Sequence, residues 1–296
     1  DGKYVADADV KDINVPWIVH QMTGGEKSYP KRDREEDWSK VENVLEVKNL
    51  CLPKAGGGYL VDHLSFELKK GEVLGIYGLM GAGRSEVFEC IMGLHPEHTG
   101  DIYLEGKKLN IKSVSKQIDS GFALIPEDRQ AQGLVQTLDI EKNCSLSAMK
   151  RYKKGGIFLD SKLEGKKVDE QIKDIHIKVA DKKLPILSLS GGNQQKVVIG
   201  KGLLTEPKIL LMDEPSRGID IGAKTEVFDI INQYAEKGLS IIVISSELQE
   251  IVSIADRVIV LSNGLKTGEF YGNEIQQDTL VLASYKGHHQ NEKKES

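Results

Sequence analysis

Apolar and polar residues alternate with period two over Val44–Leu50 and again over Leu64–Leu68, which predicts two half-buried strands. Lys70-Gly71-Glu72 then turns the chain into a short unbroken apolar run, Val73-Leu74-Gly75-Ile76-Tyr77, the pattern of a strand buried on both faces. Asp101–Gly106 reads as a hairpin, and Phe122-Ala123-Leu124-Ile125 as a buried strand stopped by Pro126. From Glu127 to Leu187 the pattern becomes polar and mostly helical, broken at Lys153-Lys154-Gly155-Gly156. Two further buried strands follow, Ile209–Met212 and Ile241–Ser245, with helical spacing from Ala223 to Ala235 between them. The economical reading is a β-α-β parallel unit. Arg257–Leu261 adds one more strand. The pattern predicts an open α/β sheet with a β-rich opening and an inserted helical subdomain.

Residues 1–43 do not look like the start of a domain. Asp1-Gly2-Lys3 is a turn with no strand before it, Val15–Met22 a short helix ending at Gly24-Gly25, and Pro30–Asp37 a charged linker. The same sketch recurs near the C-terminus, where Asn263-Gly264-Leu265-Lys266 precedes a helix around Leu280–Ala283 that ends at Gly287. Both landmarks lie 262 positions from their counterparts, a shared register that suggests internal duplication. The expected division is a tail of a preceding copy plus linker over 1–43, a main domain over 44–287 with its helical insertion at about 128–200, and a polar tail over 288–296.

Composition narrows the class without naming a task. The 296 residues suffice for a substantial core, and 40 basic against 45 acidic residues leave −5, no global field for nucleic acid or anionic lipid. No apolar run approaches the roughly 18 residues of a membrane span. Cys51, Cys90 and Cys144 lack metal-ligand spacing, as expected of reduced cytosolic thiols.

The chemistry gathers around the turn that follows the first buried run. Gly78-Leu79-Met80-Gly81-Ala82-Gly83-Arg84-Ser85 opens onto a helical stretch, and has the spacing of G-x-x-x-x-G-K-[ST] with arginine at the lysine position. Glycines let backbone N–H groups converge on an anion, and a helix N-terminus adds a favourable dipole. Asp213 and Glu214 close the strand Ile209–Met212. Beside a phosphate loop, the first can hold Mg²⁺ with Ser85 and the second can act as general base. Leu189-Ser190-Gly191-Gly192-Asn193-Gln194-Gln195-Lys196, 23 residues before Asp213 counted from Ser190, makes a second anion cradle, with Ser190 expected to cap its helix. One nucleotide does not need two separated cradles from one chain. The second is therefore expected to serve a nucleotide held by another copy.

Together these three motifs resemble the ABC transporter ATPases, and within them the second cassette of the double-cassette ATPases of bacterial monosaccharide importers of the ribose, galactose and xylose type. The resemblance covers residues 44–287, and residues 1–43 resemble the end of a first cassette plus linker. It implies a P-loop NTPase core with a mainly parallel sheet, an antiparallel β subdomain and an inserted helical subdomain. Its cofactors would be ATP and Mg²⁺. Its partners would be the N-terminal cassette of the same polypeptide, two membrane permease subunits and, indirectly, a sugar-binding protein, at the cytoplasmic face of a bacterial membrane. Carried over by position, Gly78, Met80, Gly81, Ala82, Gly83, Arg84, Ser85 and Glu86 would cradle the phosphates, and Ser190, Gly191 and Gly192 would reach the γ-phosphate of the opposite site. Asp220 would occupy the loop that speaks across the pair. Glu127 stands where other cassettes have a magnesium-sensing glutamine that also contacts the membrane subunit, and Ser246 where active cassettes carry a histidine.

Arg84 and Ser246 both fall on the site built by this chain's own phosphate loop, so that site is expected to bind nucleotide and turn it over poorly. A non-catalytic regulatory module and a nucleoside importer are the alternative readings. An ATPase acting on DNA or ribosomes is disfavoured by the charge balance and the lack of a basic arm.

Overall fold

The computed structural model describes residues 4–13, 17, 36–155 and 158–292. Strands β1 (Asn43–Pro53), β2 (Tyr59–Lys69), β4 (Thr99–Leu104) and β5 (Lys107–Lys108) form an antiparallel sheet in the order β2-β1-β4-β5. The second sheet has six strands in the order β12-β11-β3-β10-β9-β6. Here β3 is Val73–Gly78, β6 Phe122–Ile125, β9 Ile209–Asp213, β10 Ser240–Ile244, β11 Arg257–Ser262 and β12 Leu265–Tyr271. Its neighbours are parallel except β11 and β12, which form an antiparallel hairpin.

The parallel strands show why their sequences are apolar throughout. In β9, Leu210 and Met212 face one core cluster while Ile209 and Leu211 face another; in β10, Ile241 and Val243 oppose Ile242 and Ile244 in the same way. Both faces are covered, so period-two alternation becomes an unbroken apolar run. One cluster lies under helix α1 (Arg84–Met92) and the antiparallel sheet. The other is shared with the helical region. There α3 (Ile140–Ser145), α4 (Ser161–Asp174) and α5 (Gly191–Leu203) pack together, and α6 (Ile221–Glu236) joins β9 to β10 as the crossover helix. Helix α2 (Val114–Ser120) precedes β6, and α7 (Leu248–Ile254) follows β10.

The expected α/β architecture is present, with local differences. A two-stranded ribbon, β7 (Lys153–Lys154) with β8 (Phe158–Leu159), stands at the Lys153–Gly156 break in the helical pattern. Asn263-Gly264 is the expected turn, and it forms the corner of the β11–β12 hairpin, with φ of 50° and 80°. The last helix, α8 (Gln277–Glu292), runs past Gly287 instead of stopping there, so the expected polar tail begins inside a helix. The helix expected over Val15–Met22 lies outside the described residues except Trp17, and Asp1–Lys3 lies outside them altogether. Among the described residues no helix is long and apolar enough to cross a membrane.

Candidate functional site

The C-terminal ends of β3, β9 and β10 lie side by side, and each delivers one expected piece of chemistry to the same sheet edge. The glycine loop leaves β3 and runs into α1, whose N-cap is Gly83 at φ 91°, with no side chain capping the first amides. A Cβ at Gly83 would lie 2.2 Å from the Leu60 carbonyl oxygen, so both conformation and space demand glycine there. The loop is braced from outside the motif. Gly264 N–H donates to the Ala82 carbonyl at 3.1 Å, and the Gly264 carbonyl accepts from Asp62 N–H at 2.9 Å.

Asp213 ends β9 nearly buried, and burial pushes its carboxyl up to about 6, against a hydrogen bond from Ser85 that lowers it. Its Oδ1 is buried with no hydrogen-bond partner. Such an orphan beside a serine hydroxyl is an all-oxygen pair that fits a hard cation such as Mg²⁺. Among the described residues there is no group of three or more His, Cys, Asp or Glu that could hold a metal ion, so a cation here would need most of its ligands from phosphate and water.

Glu214 sits in the left-handed region at φ 46°, a strained backbone for a non-glycine residue, with its N–H held by the Ile244 carbonyl at 2.9 Å. Its carboxylate is engaged from two sides. Arg84 Nη1 approaches Oε1 at 3.3 Å, and Ser246 Oγ donates to Oε2 at 3.1 Å. The two residues that depart from the expected motifs thus converge on the candidate base. Arg84 Nη1 is buried without a hydrogen-bond acceptor, so this ion pair leaves donor capacity unspent.

The cleft formed here, of about 510 Å³, is lined by Met80 to Glu86, Glu127, Glu214, Ser216, Arg217, Gly218, Ser246 and Glu247. Glu127 forms an ion pair with Arg217 on the loop after Glu214. Ser85 and Glu127 also line an adjoining groove, which Asp213 lines in place of the first cleft and whose apolar walls include Phe88, Met92, Val114 and Ile118.

Ser190, Gly191, Gly192 and Asp220 are not in that cleft. The structure corrects one expectation about them. Ser190 is the N-cap residue of α5, but its hydroxyl does not cap the helix; it accepts from Asn193 Nδ2 at 3.0 Å. Asn193 Oδ1 in turn accepts from Lys178 N–H at 2.8 Å, so the asparagine ties the helix start to the preceding loop. The first amides of α5 are left without a side-chain cap, which favours an anion more than the expected capping would. Asp220 caps α6 by accepting from Ala223 N–H at 3.0 Å.

The sequence reading missed two residues. Glu250 on α7 is fully buried and gathers Ser216 Oγ at 2.7 Å, Ser245 Oγ at 2.6 Å and Lys224 Nζ at 3.0 Å. It therefore ties the loop after Glu214, the turn carrying Ser246, and α6 to one carboxylate. Arg129 donates from Nη1 to the Arg217 carbonyl at 2.9 Å and from Nη2 to the Gly218 carbonyl at 3.1 Å. For Glu250 the only signal is a charge on an otherwise inward helix face; Arg129 carries none beyond its nearness to Glu127.

The ABC transporter family model matches residues 61–217. The chain is 39% identical over 289 residues to the "Xylose import ATP-binding protein XylG" of Pseudomonas savastanoi pv. phaseolicola, covering 96% of this chain and 55% of that protein. It is 40% identical over 283 residues to the "Ribose import ATP-binding protein RbsA" of Clostridium perfringens, covering 95% and 55%. The chain thus spans about half the length of the curated relatives it matches. Among solved structures, a nucleotide-free ATP-binding cassette from an ABC transporter aligns with a TM-score of 0.69 at 23% identity, over 81% of this chain and 96% of that one. A dimeric bacterial ABC transporter cassette aligns at 0.67 and 22%, over 77% and 98%. These likenesses establish the fold.

Proposed function

The chain belongs to the ABC transporter family, and from that premise we propose that it is one nucleotide-binding cassette, the second, of a two-cassette ATPase that powers import of a monosaccharide. The xylose and ribose importers among its relatives support that solute class. Residues 44–287 are the cassette, with its helical insertion at about 128–200. Residues 1–43 are the end of a preceding cassette plus linker, and 288–296 the tail. The observation that supports this most is that two anion cradles occupy one chain and do not share a cleft: Met80–Ser85 of the first lines it with Glu214, and Ser190–Gly192 does not. The second cradle then completes the site of the partner cassette.

In this reading the loop amides and the unspent Nη1 of Arg84 take the nucleotide phosphates, and Ser85 with Asp213 holds Mg²⁺. When bound, Mg²⁺ supplies neutralisation of the phosphate charge that develops on transfer. Glu214 is placed to accept a proton from water, and Ser246 to orient it. Arg84 and Ser246 between them engage both carboxylate oxygens of Glu214, so the candidate base is held by protein partners that an attacking water must compete with. The site therefore binds nucleotide and turns it over slowly, while faster hydrolysis belongs to the opposite site. The groove beside Glu127 faces the membrane subunits, and the solute itself never meets this chain.

Turnover by the isolated chain is the direct test: vigorous magnesium-dependent hydrolysis would refute the slow-site assignment. Arg84→Lys combined with Ser246→His should raise turnover. A double variant that binds ATP and gains nothing favours a purely regulatory module, and co-purification with membrane permease subunits tests the transport assignment.

A further inference from the structure

Arg129 stands where three segments far apart in sequence meet. Its fork grips two consecutive carbonyls, those of Arg217 and Gly218, on the loop that lines the nucleotide cleft. On its other side it abuts the Ser190–Gly192 turn, the chain's signature turn: a methyl placed on Gly191 would lie 2.9 Å from Arg129 Nη2 and 3.5 Å from the Gly218 carbonyl oxygen. Two positions before it, Glu127 holds the Arg217 side chain, so one segment clamps that loop by both main chain and side chain. Beyond the loop, Asp220 caps α6, and Ala223 in its first turn packs against Gly192. The Nε of Arg129 is buried with no hydrogen-bond partner, so the hydrogen bonds that hold this guanidinium are those of the two carbonyls. A planar fork bound at two points follows its acceptors, and a shift of residues 217–218 carries the guanidinium against Gly191.

We propose that Arg129 is a positioning residue that links the cleft to the signature cradle, so that nucleotide in the Gly78–Ser85 loop changes the exposure of the Ser190–Asn193 amides. The inference rests on the reading of that loop as a nucleotide site. It goes beyond that reading by giving the chain's two cradles a physical connection. A filled cleft would set the geometry offered to the second nucleotide, by tightening or loosening the 217–218 loop that the arginine grips. Coupling between sites of this kind requires an element that both sites bias, and the Arg129 fork on the 217–218 loop is that element here.

The test is amide hydrogen exchange of the chain with and without Mg-ATP, in the wild type, Arg129→Ala and Arg129→Lys. Lysine keeps the charge but cannot fork onto two carbonyls, and it covers the case in which the alanine variant fails to fold. In the wild type, nucleotide should slow exchange severalfold in peptides spanning 78–86 and also change it severalfold in peptides spanning 188–196. The variants should keep the first response and lose most of the second. A merely structural role would alter exchange at 188–196 equally with and without nucleotide, and would leave the nucleotide-dependent difference intact. The proposal is overturned if the variants retain that difference, or if the wild type responds at 78–86 alone. No response at either segment in the wild type would refute the nucleotide site itself, and the proposed link with it.

Discussion

Gly192→Ala tests how the signature turn is built. A Cβ at Gly192 would lie 2.4 Å from the Ala223 Cβ, whereas carbon atoms in contact settle at about 3.5–4.0 Å. Both atoms are fixed to backbone, so no rotamer relieves the clash, and the start of α6 must move away from α5 by over ~1 Å. Overpacking of this kind costs about 1–3 kcal/mol. For a domain of this size each kcal/mol lowers the melting temperature by roughly 2–4 °C, which gives a drop of about 2–12 °C. Gly191→Ala is the internal control. The new methyl would meet Arg129 Nη2 at 2.9 Å, the far end of a flexible side chain, so the cost should stay below about 1 kcal/mol. Thermal unfolding followed by circular dichroism, with urea midpoints as a second measure, ranks the variants. The reasoning fails if Gly192→Ala melts at or above the wild type, or if Gly191→Ala is the more damaging change. If the ranking holds, the close approach of α5 to α6 at Gly192, and not the Arg129 contact at Gly191, sets the stability of the turn.

Four further outcomes follow from the same geometry. Because burial raises Asp213 to about 6, its carboxylate form is nearly complete at pH 8 and declines as pH falls; apparent Mg²⁺ affinity in ATP binding should drop about tenfold by pH 5. Terminal phosphates titrate nearby, so the wild type must be compared with Asp213→Asn, and equal pH slopes in calorimetric titrations would discard the assignment. The stability effect has the opposite sense: a carboxyl raised on folding favours the folded state as pH falls from about 6 towards 4, and Asp213→Asn should abolish that increment. Glu250→Ala leaves Lys224 with Glu247 as its remaining carboxylate partner and two serine hydroxyls without their acceptor, so it should cost about 1–3 kcal/mol in urea unfolding, with Glu250→Gln well below that. Gly264→Ala puts a Cβ 2.8 Å from the Leu60 carbonyl at φ 80°; ATP affinity should fall although residue 264 lies outside every phosphate motif, and an unchanged dissociation constant would show that the hairpin corner does not brace the loop.

Much of the fold was legible because it depends on short-range rules. An apolar run of four or five residues must be covered on both faces, so Ile209–Met212 and Ile241–Ile244 announced a parallel sheet before any contact was known. The glycine loop, the Asp213-Glu214 pair and the Ser190–Gly192 turn were legible for the same reason, since each is a local backbone device with a characteristic spacing. Tertiary structure alone decided how those devices are wired. The meeting of Arg84 and Ser246 on Glu214 joins residues from three strands' ends, and spacing along the chain carries no information about it. Ser190 looked like a cap, yet its hydroxyl went to Asn193 and left the amides open, a choice between two nearby partners that local sequence does not settle. Glu250 became a buried hub behind the cleft because three separate segments each turn a donor towards it. Periodicity and turn chemistry act within a few residues and can be read directly. Side-chain pairing across a sheet edge is set by packing, and appears only when the chain is folded.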